Sequence, residues 1–300
     1  MDQGNHHKNR PTSGKNLLIV TILNAVITVA EIIGGLISNS LALLSDALHN
    51  LSDTIAVFIA YVANRYSKKP SNEKQTFGYK RVQILAALLN AVVLIVISVY
   101  LFYEAYHRLL EPEPIKGLIM LIVAFIGLLA NLAAVLLLRK DKKRNLNIKA
   151  AYVHLLGDTL SSLAVIIGGI LIYFYSWYWV DPIITFLIGI YIIKETWSIL
   201  KETIEILMQS TPRGINVKRL REDVERIPEI ENIHHLHIWN LDDQSIHFEC
   251  HVDLKENLDL KSAEPIRAEI AKILEERHNI SHVTIQFEHK WCEDKGLIHN

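Results

Sequence analysis

Two short words in the chain have the residue types and spacing for metal chemistry. They are His49-x-x-x-Asp53-Thr54 and His154-x-x-x-Asp158-Thr159. A four-residue step places each His–Asp pair one turn apart on the same face of a helix. Two such faces set against each other would supply two imidazole nitrogens and two carboxylate oxygens around one point, a tetrahedral donor set suited to Zn²⁺. A site selecting softer ions would use thiolates, and the only cysteines, Cys250 and Cys292, lie far from both words. The plainer alternative is that each pair is a hydrogen bond stabilising its own helix. A second copy, again followed by Thr, argues against that. Asp46, three residues before His49, shares its face and reads as a supporting group or proton relay. Glu31, Asn24, Asn90 and Asn131 read as hydrogen-bonding bridges between helices.

The surrounding sequence says what carries these words. Of 300 residues, 50% are hydrophobic and 21% charged, and the mean hydropathy is +0.22. That composition excludes a disordered chain. A net charge of -1 gives no bulk reason to expect nucleic acid as a partner. Two cysteines exclude a disulfide scaffold and a cysteine zinc finger. Six apolar stretches, 17–37, 41–66, 82–106, 115–138, 148–175 and 180–207, are each long enough to cross a hydrocarbon core about 30 Å thick as a helix. Both His–Asp words fall inside such stretches, the second and the fifth. An ionisable side chain there costs several kcal/mol and marks a functional site by default.

The first sixteen residues are polar, and no cleavable leader is legible. Three Lys/Arg precede the first stretch, six lie between the second and third with Arg65 at the helix end counted, and six between the fourth and fifth with Lys149 counted. Only Arg108 and Lys116 lie on the other side. The positive-inside rule puts the rich side, both termini and the C-terminal domain in the cytosol. In the loop before the third stretch, Lys68, Lys69, Lys74, Lys80 and Arg81 read as headgroup contacts, and the loop itself as lacking a metal site. The reading is a polar cytosolic tail at 1–16, a six-helix transmembrane domain at 17–208, and a cytosolic domain at 209–300.

That last domain reads as helix 217–227, strands 233–240 and 245–253 joined by a turn at 241–244, helix 261–277 and strand 283–287. The order α-β-β-α-β on one small antiparallel sheet is ferredoxin-like. Ile246, Phe248, Cys250 and Val252 point inward, leaving His247, Glu249, His251 and Asp253 outward. From residue 211 on there are 12 Lys/Arg, 18 Asp/Glu and nine His, a composition that suggests metal binding. His6, His7, His289 and Cys292 are weaker candidates.

With these residues in view, the chain resembles the cation diffusion facilitators, a family of zinc and cadmium exporters. The resemblance rests on Asn39-Ser40-Leu41 through Ala47 leading into His49-x-x-x-Asp53, on Phe77-Gly78-Tyr79-Lys80-Arg81, on His154-x-x-x-Asp158 and on Trp179-Val180-Asp181-Pro182. In the C-terminal half it rests on His234 through Trp239 and Thr284 through Glu288. It implies a homodimer with a six-helix membrane domain and a ferredoxin-like cytosolic domain. It also implies export of divalent metal against protons through His49, Asp53, His154 and Asp158. It further implies a cytosolic metal site at the matching positions His234, His251, Glu264 and Glu288, although relatives carry other residues at the last two. No cofactor is implied. Zn²⁺ is the substrate and, at the cytosolic positions, a regulatory ion. The short tail and the absence of a His-rich loop read as bacterial, hence a plasma membrane.

Other classes fare worse. A catalytic zinc keeps three protein ligands and a water, whereas here four donors close the site. No His-Glu-x-x-His word is present to supply a base. A membrane-anchored metal sensor would need the cytosolic histidines but not the intramembrane pairs. A divalent-cation channel would ignore a proton gradient. No Walker motif occurs.

Overall fold

The structure is a computed structural model that describes residues 12–67, 69–138, 146–243, 245–292 and 296–298. His6, His7, Lys8, Arg10, Lys68, the basic residues at 139–144, Gln244 and His299 lie outside the described residues. Among those described, six long helices come first: α1 (Thr12–Ser38), α2 (Leu41–Ser67), α3 (Val82–Leu110), α4 (Gly117–Leu138), α5 (Leu146–Tyr175) and α6 (Val180–Leu207). Five of them, all but α2, are long and apolar enough to cross a membrane. The chain divides into two compact units, Met1–Ile59 with Leu89–Ser198, and Ala60–Leu88 with Ile199–Asn300.

The first unit is polar inside and apolar outside. Glu31, Asp46, His49, Asn50, Asp158 and Asp181 are buried, while Leu89, Val96, Phe125, Leu160, Phe174 and Leu187 are exposed. A water-soluble bundle would be the reverse, and an apolar exterior of this extent fits a lipid solvent. Helix α4 packs against α1 and α5. Its contacts include a core of Met120 and Ala124 with Val165, Ile166, Ile184 and Ile188. Hydrogen bonds join the helices in the way sequence reading anticipates for three of the four bridging residues. Asn50 donates to Glu31 at 3.0 Å, Ser52 to Asn90 at 3.1 Å, and Asn131 to Ser162 at 3.3 Å. Asn24 is different. Its side-chain oxygen has no partner among the described residues, and its backbone carbonyl accepts from Thr28.

The α1–α2 turn is built by Asn39, whose φ of 60° lies in the left-handed region that Asn tolerates at a helix end. Ser40 then caps α2, its hydroxyl accepting from Leu43 N at 3.1 Å.

The second unit holds α7 (Val217–Glu225), β1 (Ile230–Asn240), β2 (Ile246–Leu254), α8 (Leu260–His278) and β3 (His282–Glu288). Asn216 caps α7 and Asp259 caps α8. The helices and strands match the sequence reading to within a few residues, but the sheet is not wholly antiparallel. Its order is β1-β2-β3, with β1 antiparallel to β2 and β2 parallel to β3. The reason is the 19-residue α8, which supplies the crossover that a parallel neighbour requires. The apolar face of the sheet, with Phe248, Cys250 and Val252, packs on Leu220, Ile266, Ile270 and Leu274.

The opposite face departs from expectation too: His247 and Asp253 are buried. The ring of His247 lies between Trp239 and Phe77, at 5.5 Å from each, and 4.3 Å from His282. Lys80 is not left to headgroups. It donates to Ser245 at 3.1 Å and pairs with Asp242 at 3.5 Å. Lys69 sits over the ring of Tyr66.

Candidate metal centre

Each His–Asp pair lies on one continuous helix, so the backbone fixes its internal spacing. The packing of α2 against α5 then brings the pairs together. His49 Nε2 lies 3.5 Å from Asp53 Oδ2 and 3.7 Å from Asp158 Oδ1. His154 Nε2 lies 3.0 Å from Asp53 Oδ2 and 3.7 Å from Asp158 Oδ2. The two rings meet edge to face at 5.5 Å. Each imidazole therefore faces both carboxylates, its own and that of the other helix. Donors bonded to zinc at about 2.0–2.2 Å in a tetrahedron are separated by roughly 3.3–3.6 Å. The observed separations bracket that range.

Burial makes the arrangement costly without a cation. Both nitrogens of His49 and both oxygens of Asp158 lack a hydrogen-bond partner among the described residues. Asp158 is only 1% exposed. Buried polar atoms left unsatisfied cost about 1–3 kcal/mol each, so four of them in one cluster call for a ligand. A divalent ion there would take up the Nε2 of His49 and an oxygen of Asp158, and two carboxylates would offset its charge.

Helix α6 adds groups that sequence reading did not single out. Glu195 Oε1 stands 3.8 Å from His154 Nδ1. A carboxylate on that side favours the tautomer whose Nε2 lone pair faces the cluster, the arrangement that commonly orients metal-binding histidines. Tyr191, one turn earlier, places its ring 6.2 Å from that of His49. Gly157 makes room for it: a β-carbon there would come 2.5 Å from the Tyr191 hydroxyl. The four-residue step from Tyr191 to Glu195 was the available signal. Asp46 accepts hydrogen bonds from Ser161 and Ser162 and so ties α2 to α5 beside the site.

Asp181 holds α2 from its end. Oδ1 accepts from the Ser40 hydroxyl at 2.5 Å and from Ala42 N at 3.3 Å, and Oδ2 accepts from Leu41 N at 2.8 Å.

A second group forms on the sheet. Glu288 on β3 bridges two histidines, with Oε1 2.9 Å from His251 Nδ1 and Oε2 3.3 Å from His234 Nε2. Register explains it: His234 faces His251 across β1–β2, and Gln286, a register partner of His251 on β3, lies two residues before Glu288. Ligand atoms of His234, Glu288 and Cys292 lie within 4.8 Å of one another. Glu264 is not brought to this group. It is exposed on α8 and makes a two-point ion pair with Arg267 at 2.9 and 2.6 Å, and that guanidinium holds its carboxyl below the usual range. An i,i+3 arginine on the same helix competes for it locally.

Comparison with known proteins assigns both halves. Residues 17–208 match the model of the cation efflux transmembrane domain, and residues 212–290 that of the cation efflux protein cytoplasmic domain. The zinc transporter ZitB of Pectobacterium atrosepticum is 39% identical over 292 residues, covering 97% of this chain and 90% of its own length. A Bacillus subtilis protein named cadmium, cobalt and zinc/H(+)-K(+) antiporter is 40% identical, covering 94% of this chain and 91% of its own length. The metal cation efflux system protein CzcD of Cupriavidus metallidurans is 37% identical, covering 98% and 92%.

Proposed function

Because the chain belongs to the cation efflux family of integral membrane transporters, we propose that it exports Zn²⁺, and also Cd²⁺ and Co²⁺, from the cytosol in exchange for protons. His49, Asp53, His154 and Asp158 hold the ion in transit. The observation that carries this reading is the convergence of two imidazoles and two carboxylates from α2 and α5, with orphaned buried atoms on His49 and Asp158. Relatives named for zinc, cadmium and cobalt, one of them as an H(+)-K(+) antiporter, support the substrate and the counter-ion.

The donor chemistry supplies the coupling. A histidine binds metal only when neutral and a carboxylate only when ionised. Protons and zinc therefore compete for the same ring nitrogens of His49 and His154. Cytosolic zinc displaces protons, the bundle changes the side to which the site opens, and external protons displace zinc. With two carboxylates the loaded site is near neutral, which lowers the cost of holding it within lipid.

The same reading makes α2 the sixth span. Its 27 residues reach about 40 Å as helix. Its polar side chains His49, Asn50 and Ser52 are buried, while Phe58, Tyr61 and Val62 face out. An even number of spans with the observed Lys/Arg bias puts both termini in the cytosol, and bacterial relatives point to a plasma membrane. A cytoplasmic-domain model labelled for a zinc-transporter dimer supports a homodimer. No cofactor is needed beyond the transported ion.

Proteoliposomes carrying internal zinc and pH dyes test the exchange. Zinc entry should alkalinise the lumen, and an imposed inward-acidic gradient should accelerate it. Zinc flux with no pH change, indifferent to the gradient, would mean a channel instead. Glu195 offers a finer check. Glu195→Gln should weaken zinc binding about tenfold, the usual loss when a partner orienting a metal-binding histidine is removed, with His154 still in place. Calorimetric titration of the purified variant measures it.

A further inference from the structure

The loop between α2 and α3 rests on the sheet through residues that neither the metal centre nor the exchange uses. The loop has a defined shape of its own. The Asn72 side chain accepts from Lys74 N and Gln75 N at 3.0 and 2.9 Å and donates to the Tyr79 hydroxyl at 3.2 Å. The Tyr79 ring meets that of Tyr66, at the end of α2, at 5.2 Å. Two points touch the sheet. Lys80 donates to Ser245 and pairs with Asp242, and Phe77 sets its ring edge to face against His247. The loop is the direct continuation of α2, the helix that carries His49 and Asp53.

A histidine under that contact has consequences. His247 is 8% exposed. It stacks on Trp239, its register partner on β1, at 5.5 Å, and its ring lies 4.3 Å from that of His282, its register partner on β3. Burial of this kind penalises the charged imidazole. The titratable and charged groups that face it are His282 from β3, Lys80 from the loop and Asp242 from the turn between β1 and β2. Glu249 and His237, a register pair two residues farther along the same face, are exposed. Burial first, then His282 and Lys80, hold the His247 imidazole below its usual range, with Asp242 pulling the other way. These neighbours differ in origin. Trp239 and His282 belong to the sheet and stay beside His247 whatever the loop does, whereas Phe77 and Lys80 arrive only with the loop. Only what the loop brings links protonation to docking.

We infer that His247 makes the contact between the α2–α3 loop and the sheet acid-sensitive. Neutral, it lies under Phe77 with Lys80 beside it. Protonated, it repels Lys80 and draws back the water that Phe77 excludes, and the loop leaves the sheet. The sign follows from linkage. Docking lowers the imidazole's value, so its contribution to the docked loop is fully present above the undocked value. It is lost as pH falls from there to the docked value. The window opens at about pH 6.5 or just under it, because His282 stays beside the ring in both states. Docking of the loop does not depend on whether zinc exchanges for protons, and it is read without measuring flux.

Amide exchange tests it on the full-length protein in detergent, read by mass spectrometry and corrected for the intrinsic pH dependence of exchange. Across 72–81, exchange should be about threefold faster at about pH 5.5 than at about pH 7.5, the size expected when one part-exposed charge contact turns repulsive. Strand residues 236–240 should keep their protection. His247→Phe keeps a flat ring under Phe77 and takes no proton, so its loop should stay protected at both values. His282→Gln removes the second imidazole and leaves the first, so release should persist and begin at higher pH. A wild-type loop indifferent to pH overturns the proposal. So does acid release that persists unchanged in His247→Phe, or loosening of 236–240 together with the loop, which is opening of the whole domain. Should His247→Phe fail to fold, His282→Gln decides alone: a release point that does not rise assigns the titration to another group and overturns the proposal.

Discussion

Asp158→Asn should abolish zinc efflux while leaving the helices folded. The substitution keeps volume and shape and removes one charge. Three neighbours would feel the change: His49 at 3.7 Å, His154 at 3.7 Å and Asp53, which shares both imidazoles. The loaded site would move from near neutral to a net positive charge in a buried place. Loss of a group that merely orients a ligand costs about 10–100-fold in affinity, so loss of a ligand should cost at least about 100-fold. The apo protein should tolerate the change well. Asp158 has no hydrogen-bond partner for either oxygen among the described residues and is 1% exposed. A buried carboxylate without partners is a cost of the site rather than a support of the fold. Melting curves separate the two effects. Wild type should be stabilised by zinc, because an ion that binds only the native state raises its melting temperature. The variant should melt at or above the wild-type apo temperature and show no zinc shift. A zinc-dependent shift of wild-type size in Asp158→Asn would remove this residue from the ion's path.

The sequence carried this site because its key spacing is local. A four-residue step from His to Asp is enforced by one helix, so His49 with Asp53 and His154 with Asp158 were legible without knowing how α2 meets α5. The same holds for the apolar stretches, whose limits follow from composition. What escaped depends on contacts through space. Glu195 and Tyr191 matter because α6 turns that face to His154 and His49; their four-residue step shows a shared face but not what it meets. Lys80 looked like a headgroup residue until Asp242 and Ser245, far along the chain, appeared beside it. The direction of β3 depends on the crossover through α8, and alternation within β2 says which residues oppose the core but not whether something covers them, as Phe77 and Trp239 cover His247. Glu264 is the converse case: resemblance places it among the cytosolic ligands, whereas here its carboxylate pairs with Arg267 three residues on.

Asp181→Ala should be the most destabilising single change outside the proposed metal ligands, by about 3–5 kcal/mol, the usual result of removing one partner from a buried charged network. The carboxylate is fully buried and sits in the first turn of α6, at the positive end of that helix dipole. It also accepts from Leu41 N, Ala42 N and the Ser40 hydroxyl at the start of α2. One charge therefore meets the amino ends of two helices and closes donors that α2 cannot satisfy itself. Lost to alanine, it leaves those donors buried and unpaired. His49 lies eight residues beyond Leu41, about 12 Å down the helix, so freeing this end also loosens the register of His49 against Asp158. Efflux should fall with stability although no ligand is touched. Ser40→Ala should cost less, about 1–2 kcal/mol, because Asp181 still accepts from two backbone amides. Asp181→Glu should not restore wild-type stability, since the extra methylene has no room in a fully buried pocket. Thermal melts in detergent, read beside zinc binding, give the order. An Asp181→Ala protein that melts within the range of Ser40→Ala would show that α2 is positioned by its side-chain packing rather than by this cap.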